Sequence, residues 1–139
     1  MPTRAFLVLL LSDDIEETAR FLVDVVGLQD PRWLDAPGPQ NARAFGWPED
    51  SDTRRVVLGE GPGMVEVLEI PLSLRETVRP GLAFVGFATP DVEGYAARSA
   101  AAGFETAPVM TTVDGAGEPV SLAAVHVGGL PFELIRFGS

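Results

Sequence analysis

Two glutamates, one arginine and one histidine are the side chains of this sequence whose spacing could do chemistry. Glu66 and Glu133 stand in the same context: each lies midway along an apolar stretch, Met64-Val-Glu66-Val-Leu and Pro131-Phe-Glu133-Leu-Ile, that follows another apolar run and a Gly-rich turn. A tight hairpin turn fixes which residues share a sheet face. If Gly128-Gly129 is a two-residue turn, Val127 pairs with Leu130 and His126 with Pro131, so the only histidine of the chain lies diagonal to Glu133 on one face. A carboxylate beside an imidazole is a workable acid/base pair near neutral pH. A turn longer by one residue sends His126 to the other face, and a lone histidine at a sheet rim is more often a solvated group. If Gly59 faces Met64, then Val57 faces Glu66 and Arg55 lies diagonal to it. Arg55 then neutralises a shielded carboxylate in a structural ion pair, or holds a carboxylate or phenolate of a ligand.

The elements that must position these residues occur twice. Leu7-Val-Leu-Leu-Leu-Ser-Asp-Asp-Ile-Glu-Glu leads to Gly27-Leu28, and Phe84-Val-Gly-Phe-Ala-Thr-Pro-Asp-Val-Glu-Gly leads to Gly103-Phe104. Each copy reads as a buried strand, a hydroxyl residue as helix N-cap (Ser12, Thr89), an amphipathic helix and a Gly stop. The first copy predicts strands over 5–11, 28–34, 53–58 and 64–70, and a helix that follows Ser12, with Asp13, Asp14, Glu16 and Glu17 in its first turns, and ends at Gly27. The second predicts strands over 82–88, 104–112, 121–127 and 130–137, a helix over 91–102 whose Val92, Ala96 and Ser99 face the sheet, and turns at 114–117 and 128–129. Residues 35–52 carry three Pro and two Gly without periodicity. That predicts a long loop, a lid or a flap, which brings Phe45 and Trp47 into play beside Trp33.

Composition excludes several partners. Ten Arg and no Lys against 20 Asp+Glu give a net charge of −10, which repels nucleic acid and anionic lipid surfaces. An all-Arg basic set is of the kind that high-GC bacterial coding gives. The absence of cysteine rules out disulfides, thiolate nucleophiles and thiolate metal sites. The opening apolar run is too short for a signal or a membrane span, so a cytoplasmic protein is expected. A chain of 139 residues fits one domain made of two modules, residues 1–71 and 82–139, joined by 72–81.

Two units of strand, helix and three strands, each with an acidic residue opening its helix and a Glu in its last strand, resemble the vicinal oxygen chelate superfamily, the glyoxalase, extradiol dioxygenase and bleomycin-resistance group. The resemblance implies an α+β fold of two tandem βαβββ modules, whose curved mixed sheets face each other around a cavity, often completed by a homodimer. In that group metal enzymes place His or Gln in each first strand and Glu or His in each last strand. The matching last-strand residues are Glu66 and Glu133; the first-strand positions are Leu7 and Phe84, neither of which can ligate a metal. The resemblance therefore implies a member with no metal and no other cofactor.

Inward positions Leu7, Leu9 and Leu11, and Phe84, Gly86 and Ala88, then form an apolar floor. The expected ligand is an apolar, aromatic or polycyclic small molecule of the natural-product kind. It would contact Leu7, Leu9, Val57 and Phe84, be held by Arg55, and stack on Trp33, Phe45 or Trp47. Three functions fit: sequestration of such a molecule, as in antibiotic resistance; cofactor-free isomerase, cyclase or lyase chemistry in natural product biosynthesis, with Glu133 and His126 moving a proton and Glu66 orienting the substrate; and a divalent-metal lyase or dioxygenase with unusual ligands. Binding is common to the first two.

Overall fold

In the computed structural model, which describes residues 4–114 and 117–138, the apolar run that opens the chain is strand β1 (Arg4–Ser12). The turn after it is set by short polar side chains. Ser12 Oγ accepts from the Asp14 backbone N–H at 3.0 Å and bonds Thr18 Oγ1 at 2.8 Å, while Asp14 Oδ1 accepts from the Glu17 N–H at 3.0 Å. The N-cap is therefore Asp14 rather than the expected Ser12: the longer carboxylate reaches the free N–H groups of the first turn, and Ser12 holds the loop before them. Helix α1 (Ile15–Arg20) runs on into a wider π-helical stretch, Phe21–Val26, and the whole ends at Gly27, whose φ of 85° is open to glycine at little cost.

Strand β2 (Arg32–Ala36) starts four residues later than expected, because Asp30 takes a left-handed φ of 55° and Pro31 follows it. The presumed loop after it holds a second helix, α2 (Gly38–Phe45), with Pro in its first turn and left-handed Gly46 at its end. Strands β3 (Thr53–Leu58) and β4 (Met64–Glu69) and a 3₁₀ turn, Leu72–Leu74, follow. Strand β5 (Gly81–Ala88), helix α3 (Val92–Ala101), and strands β6 (Glu105–Thr106), β7 (Met110–Val113), β8 (Pro119–Val127) and β9 (Leu130–Phe137) complete the chain. Here too the expected cap moves: Asp91 Oδ1 accepts from Gly94 N–H, and Thr89 Oγ1 accepts from Asp91 N–H. The strand expected over 104–112 is broken between β6 and β7, where Pro108 has no N–H to give a ladder. Residues 115 and 116 of the expected 114–117 turn lie outside the described residues.

The chain forms two compact units, one of Val8–Ala83 and one that joins Met1–Leu7 to Phe84–Ser139. In the first, β2, β3, β4 and β1 are neighbours in that order, and α1 covers one face: Ile15 and Ala19 pack on Val56, Leu58 and Val67, flanked by Leu22, Val23, Leu28 and Val65. Burial of these side chains is what holds α1 down, since six α-helical residues are too few to be stable alone. In the second, β5 runs parallel to β9, and β8 antiparallel to β9, β6 and β7. Val92 and Ala96 of α3 pack on Ala123, flanked by Val109 and Leu134, while Ser99 bonds Thr106 through their hydroxyls at 2.7 Å. The fold class is α+β, with strand, helix and strands in the same order twice.

Candidate functional site

In the first unit the expected hairpin register holds. Val57 lies opposite Glu66 and Leu58 opposite Val65, which puts Arg55, Val57, Met64, Glu66 and Leu68 on the face turned away from α1. Arg55 donates from Nη1 to Glu66 Oε1 at 3.0 Å, and the two side chains keep only 25% and 13% of their surface in solvent. Leu34 and Leu68 sit directly across the ladder from Arg55 on either side. Burial pushes the Glu66 carboxyl above its ordinary value, and the charge and hydrogen bond of Arg55 pull it only part of the way back.

Arg32 lies on the same face, opposite Val57; the expected strand over 28–34 contained it, but no tight turn joins that strand to the next, so its face could not be read from sequence. Its donors go to the carbonyls of Asp30 and Gly59. Trp33, by contrast, pairs with Val56 and so falls on the α1 side, where the Arg54 guanidinium lies 5.5 Å from the ring centroid. The register thus puts Trp33 and Glu66 on opposite faces of the sheet, since successive residues of a strand point to opposite sides. Phe45 and Trp47 stack on each other with centroids 4.8 Å apart, Trp47 being buried. Leu9 belongs to the core of this unit. Shallow clefts beside α1, at Glu17, Phe21 and Val25, and beside Leu72 and Arg75 are lined by neither Glu66 nor Arg55.

In the second unit the 128–129 turn also gives the expected register. His126 pairs with Pro131 and Ala124 with Glu133, so His126 and Glu133 share the face turned away from α3. Glu133 is half-buried; His126 is exposed at the hairpin end, with Glu105 of β6 directly opposite it. Phe84 and Gly86 lie on the Glu133 face, Gly86 facing Glu133 itself. The space that Gly86 leaves is already taken: a Cβ there would lie 2.8 Å from Ile135 Cδ1 and 3.1 Å from Leu7 Cγ. Gly86 thus admits Leu7 rather than a ligand. Arg136 is on the other face, bound two-pronged to Glu93 of α3, and holds the Glu93 carboxyl below the ordinary value.

The sequence profile of the Glyoxalase/Bleomycin resistance protein/Dioxygenase superfamily matches residues 5–118. The chain belongs to this superfamily. Among solved structures of the superfamily's fold, a variant of methylmalonyl-CoA epimerase of Streptomyces coelicolor, in complex with 2-nitronate-propionyl-CoA, is similar at 16% identity over all of both chains, with a TM-score of 0.73. A hypothetical protein of Bacillus halodurans is similar at 13% identity over 98% of this chain and 95% of that one, TM-score 0.70. Methylmalonyl-CoA epimerase of Mycobacterium tuberculosis gives 13% identity over 95% and 87%, TM-score 0.63. No curated protein matches by sequence.

A metal of the kind that superfamily enzymes use does not fit the donors this chain offers. Leu7 and Phe84 carry no ligating atom, Leu7 is taken up in packing over Gly86, and Glu66 already faces the Arg55 cation. Among the described residues no three His, Cys, Asp or Glu side chains converge to hold an ion. Among them, too, no helix is long and apolar enough to cross a membrane.

Proposed function

We propose that this superfamily member is a metal-independent small-molecule binding protein that uses the Arg55–Glu66 face as its polar anchor. The observation that carries the reading is the shielded Arg55–Glu66 pair, standing where the repeat puts a last-strand carboxylate and flanked by Leu34, Val57 and Leu68. Apolar walls around a few convergent polar groups are the usual make-up of a ligand site. The ligand is an apolar, largely aromatic molecule, and the protein works as a cytoplasmic homodimer folded as one domain of two modules. Native mass spectrometry and elemental analysis of protein purified from its own host test this. An organic molecule retained without a transition metal supports it, and one divalent metal retained per chain overturns it.

The shared face of Glu133 and His126 supports a second reading, a cofactor-free isomerase, cyclase or lyase. Glu133 takes a proton from carbon and His126 returns or relays it. Two of the similar solved structures are methylmalonyl-CoA epimerases, and epimerisation is chemistry of this proton-transfer class. Glu133→Gln would then abolish turnover while binding survives. Loss of binding and turnover together would leave only the first reading.

A further inference from the structure

Three arginines of the first unit's sheet lie close together, and their guanidinium donors are used very differently. Arg54 offers its side-on edge, Nε and Nη2, to the two carboxylate oxygens of Glu69 at 3.3 and 3.4 Å, and Nη2 reaches Glu16 as well. Arg32 directs Nη1 and Nη2 to backbone carbonyls, and Nη2 also reaches Met64 Sδ at 3.7 Å. Arg55, the neighbour of Arg54, gives Glu66 one hydrogen bond from Nη1 and nothing else among the described residues; its Nε is buried without an acceptor. On the edge that Arg54 fills with a carboxylate, Arg55, on the opposite face of the same strand, thus has a buried Nε–H with no acceptor.

A shielded donor left without an acceptor is costly, and the cost is removed by whatever completes it. The Nε–Nη2 edge presents two parallel N–H groups, the geometry that matches a planar carboxylate. Leu34 and Leu68 flank it, so an anion that reaches it is held in low dielectric, where a charge-assisted bond is strong. We infer that the ligand carries a carboxylate, and that Arg55 receives it side-on through Nε and Nη2 while Nη1 stays on Glu66. This deepens the binding function proposed above and rests on it: the apolar part of the ligand lies over Val57 and Met64, and its acid group supplies the acceptor that Arg55 Nε lacks.

The test uses 2-naphthoate and its neutral counterpart 2-naphthamide as probes, with the arginine ¹⁵Nε–¹Hε signals and backbone amides of the whole protein followed by NMR. The Arg55 Nε–H signal is expected to shift and saturate with 2-naphthoate, with the amide binding at least about tenfold more weakly. Arg55→Lys keeps the charge but removes the two-pronged edge, and is expected to lose that preference for the acid. An Arg55 signal unmoved by 2-naphthoate, or equal affinity for acid and amide, overturns the carboxylate inference. Backbone shifts at Val57 and Met64 with the amide alone would leave the binding function standing while this inference falls. Silence at that face with both probes would count against both.

Discussion

Removing one partner of the Arg55–Glu66 pair is felt as charge rather than as packing. Arg55→Ala strands a carboxylate that keeps 13% of its side-chain surface, and is expected to destabilise the fold by about 2–3 kcal/mol at neutral pH. The double variant Arg55→Met/Glu66→Leu, which removes both charges, should recover most of that. The sign with pH follows from the raised carboxyl of Glu66, raised further without its cation: the folded state favours the protonated form. The Arg55→Ala loss is smallest below the ordinary carboxylate range and grows as pH rises through the Glu66 value. Urea unfolding at acid and at neutral pH reads the difference, and an equal loss at both would refute the assignment. This pair was legible in the sequence because a Gly-rich turn sets register in steps of one residue, and the faces follow. The face of Trp33 was not legible in the same way, because residues 37–52, between Ala36 and Thr53, are too long a connection to fix the β2–β3 register from sequence.

At the level of elements, α2 is the one that sequence periodicity could not show. Eight residues opening on Gly and Pro are short for a periodic signal, and the residues they bury, Gly38 and Asn41, are not large apolar ones. Its place is set instead by Asn41, whose Nδ2 donates to the carbonyls of Ala36 and Ser51 at 3.0 and 2.9 Å, and by Gly38, whose N–H donates to Asp52 Oδ1. These bonds join positions 5, 10 and 14 residues apart and are invisible to a local reading. Asn41→Ala leaves two carbonyls without their donor in a buried site and is expected to cost about 2 kcal/mol or more, measured by thermal or urea unfolding. The ends of α2 were readable, since Pro in the first turn and Gly past the last are helix punctuation. Helix α3 is tied differently. Glu93 is held below its ordinary value by Arg136, so its contribution is present above the ordinary Glu range and disappears as pH falls through the lowered value. Glu93→Gln should therefore lower the melting temperature slightly at pH 7, and the gap to wild type should close on acidification. The pair is solvent-exposed on the Glu93 side, which keeps the effect small.

For the molecule as a whole, the repeat made the fold class readable from sequence, because strand, hydroxyl, acid, helix and glycine recur together and local signals agree with one another at both sites. A net charge of −10 on 139 residues has a cost of its own: it repels the folded chain against itself. Raising NaCl from low to moderate concentration should raise the urea midpoint, since screening relieves that repulsion more than it weakens the few exposed ion pairs. A midpoint that falls with salt would show that the pairs dominate.

The second compact unit is discontinuous, joining Met1–Leu7 to Phe84–Ser139, whereas the first is the uninterrupted run Val8–Ala83. On the ribosome the first unit is complete once Ala83 has cleared the exit tunnel. Leu7 must wait for Gly86 and Ile135 before it has the neighbours it is packed against. Leu7 is thus among the last residues to find its place, and a nascent chain stalled midway would hold one finished unit and a leucine still awaiting its partners.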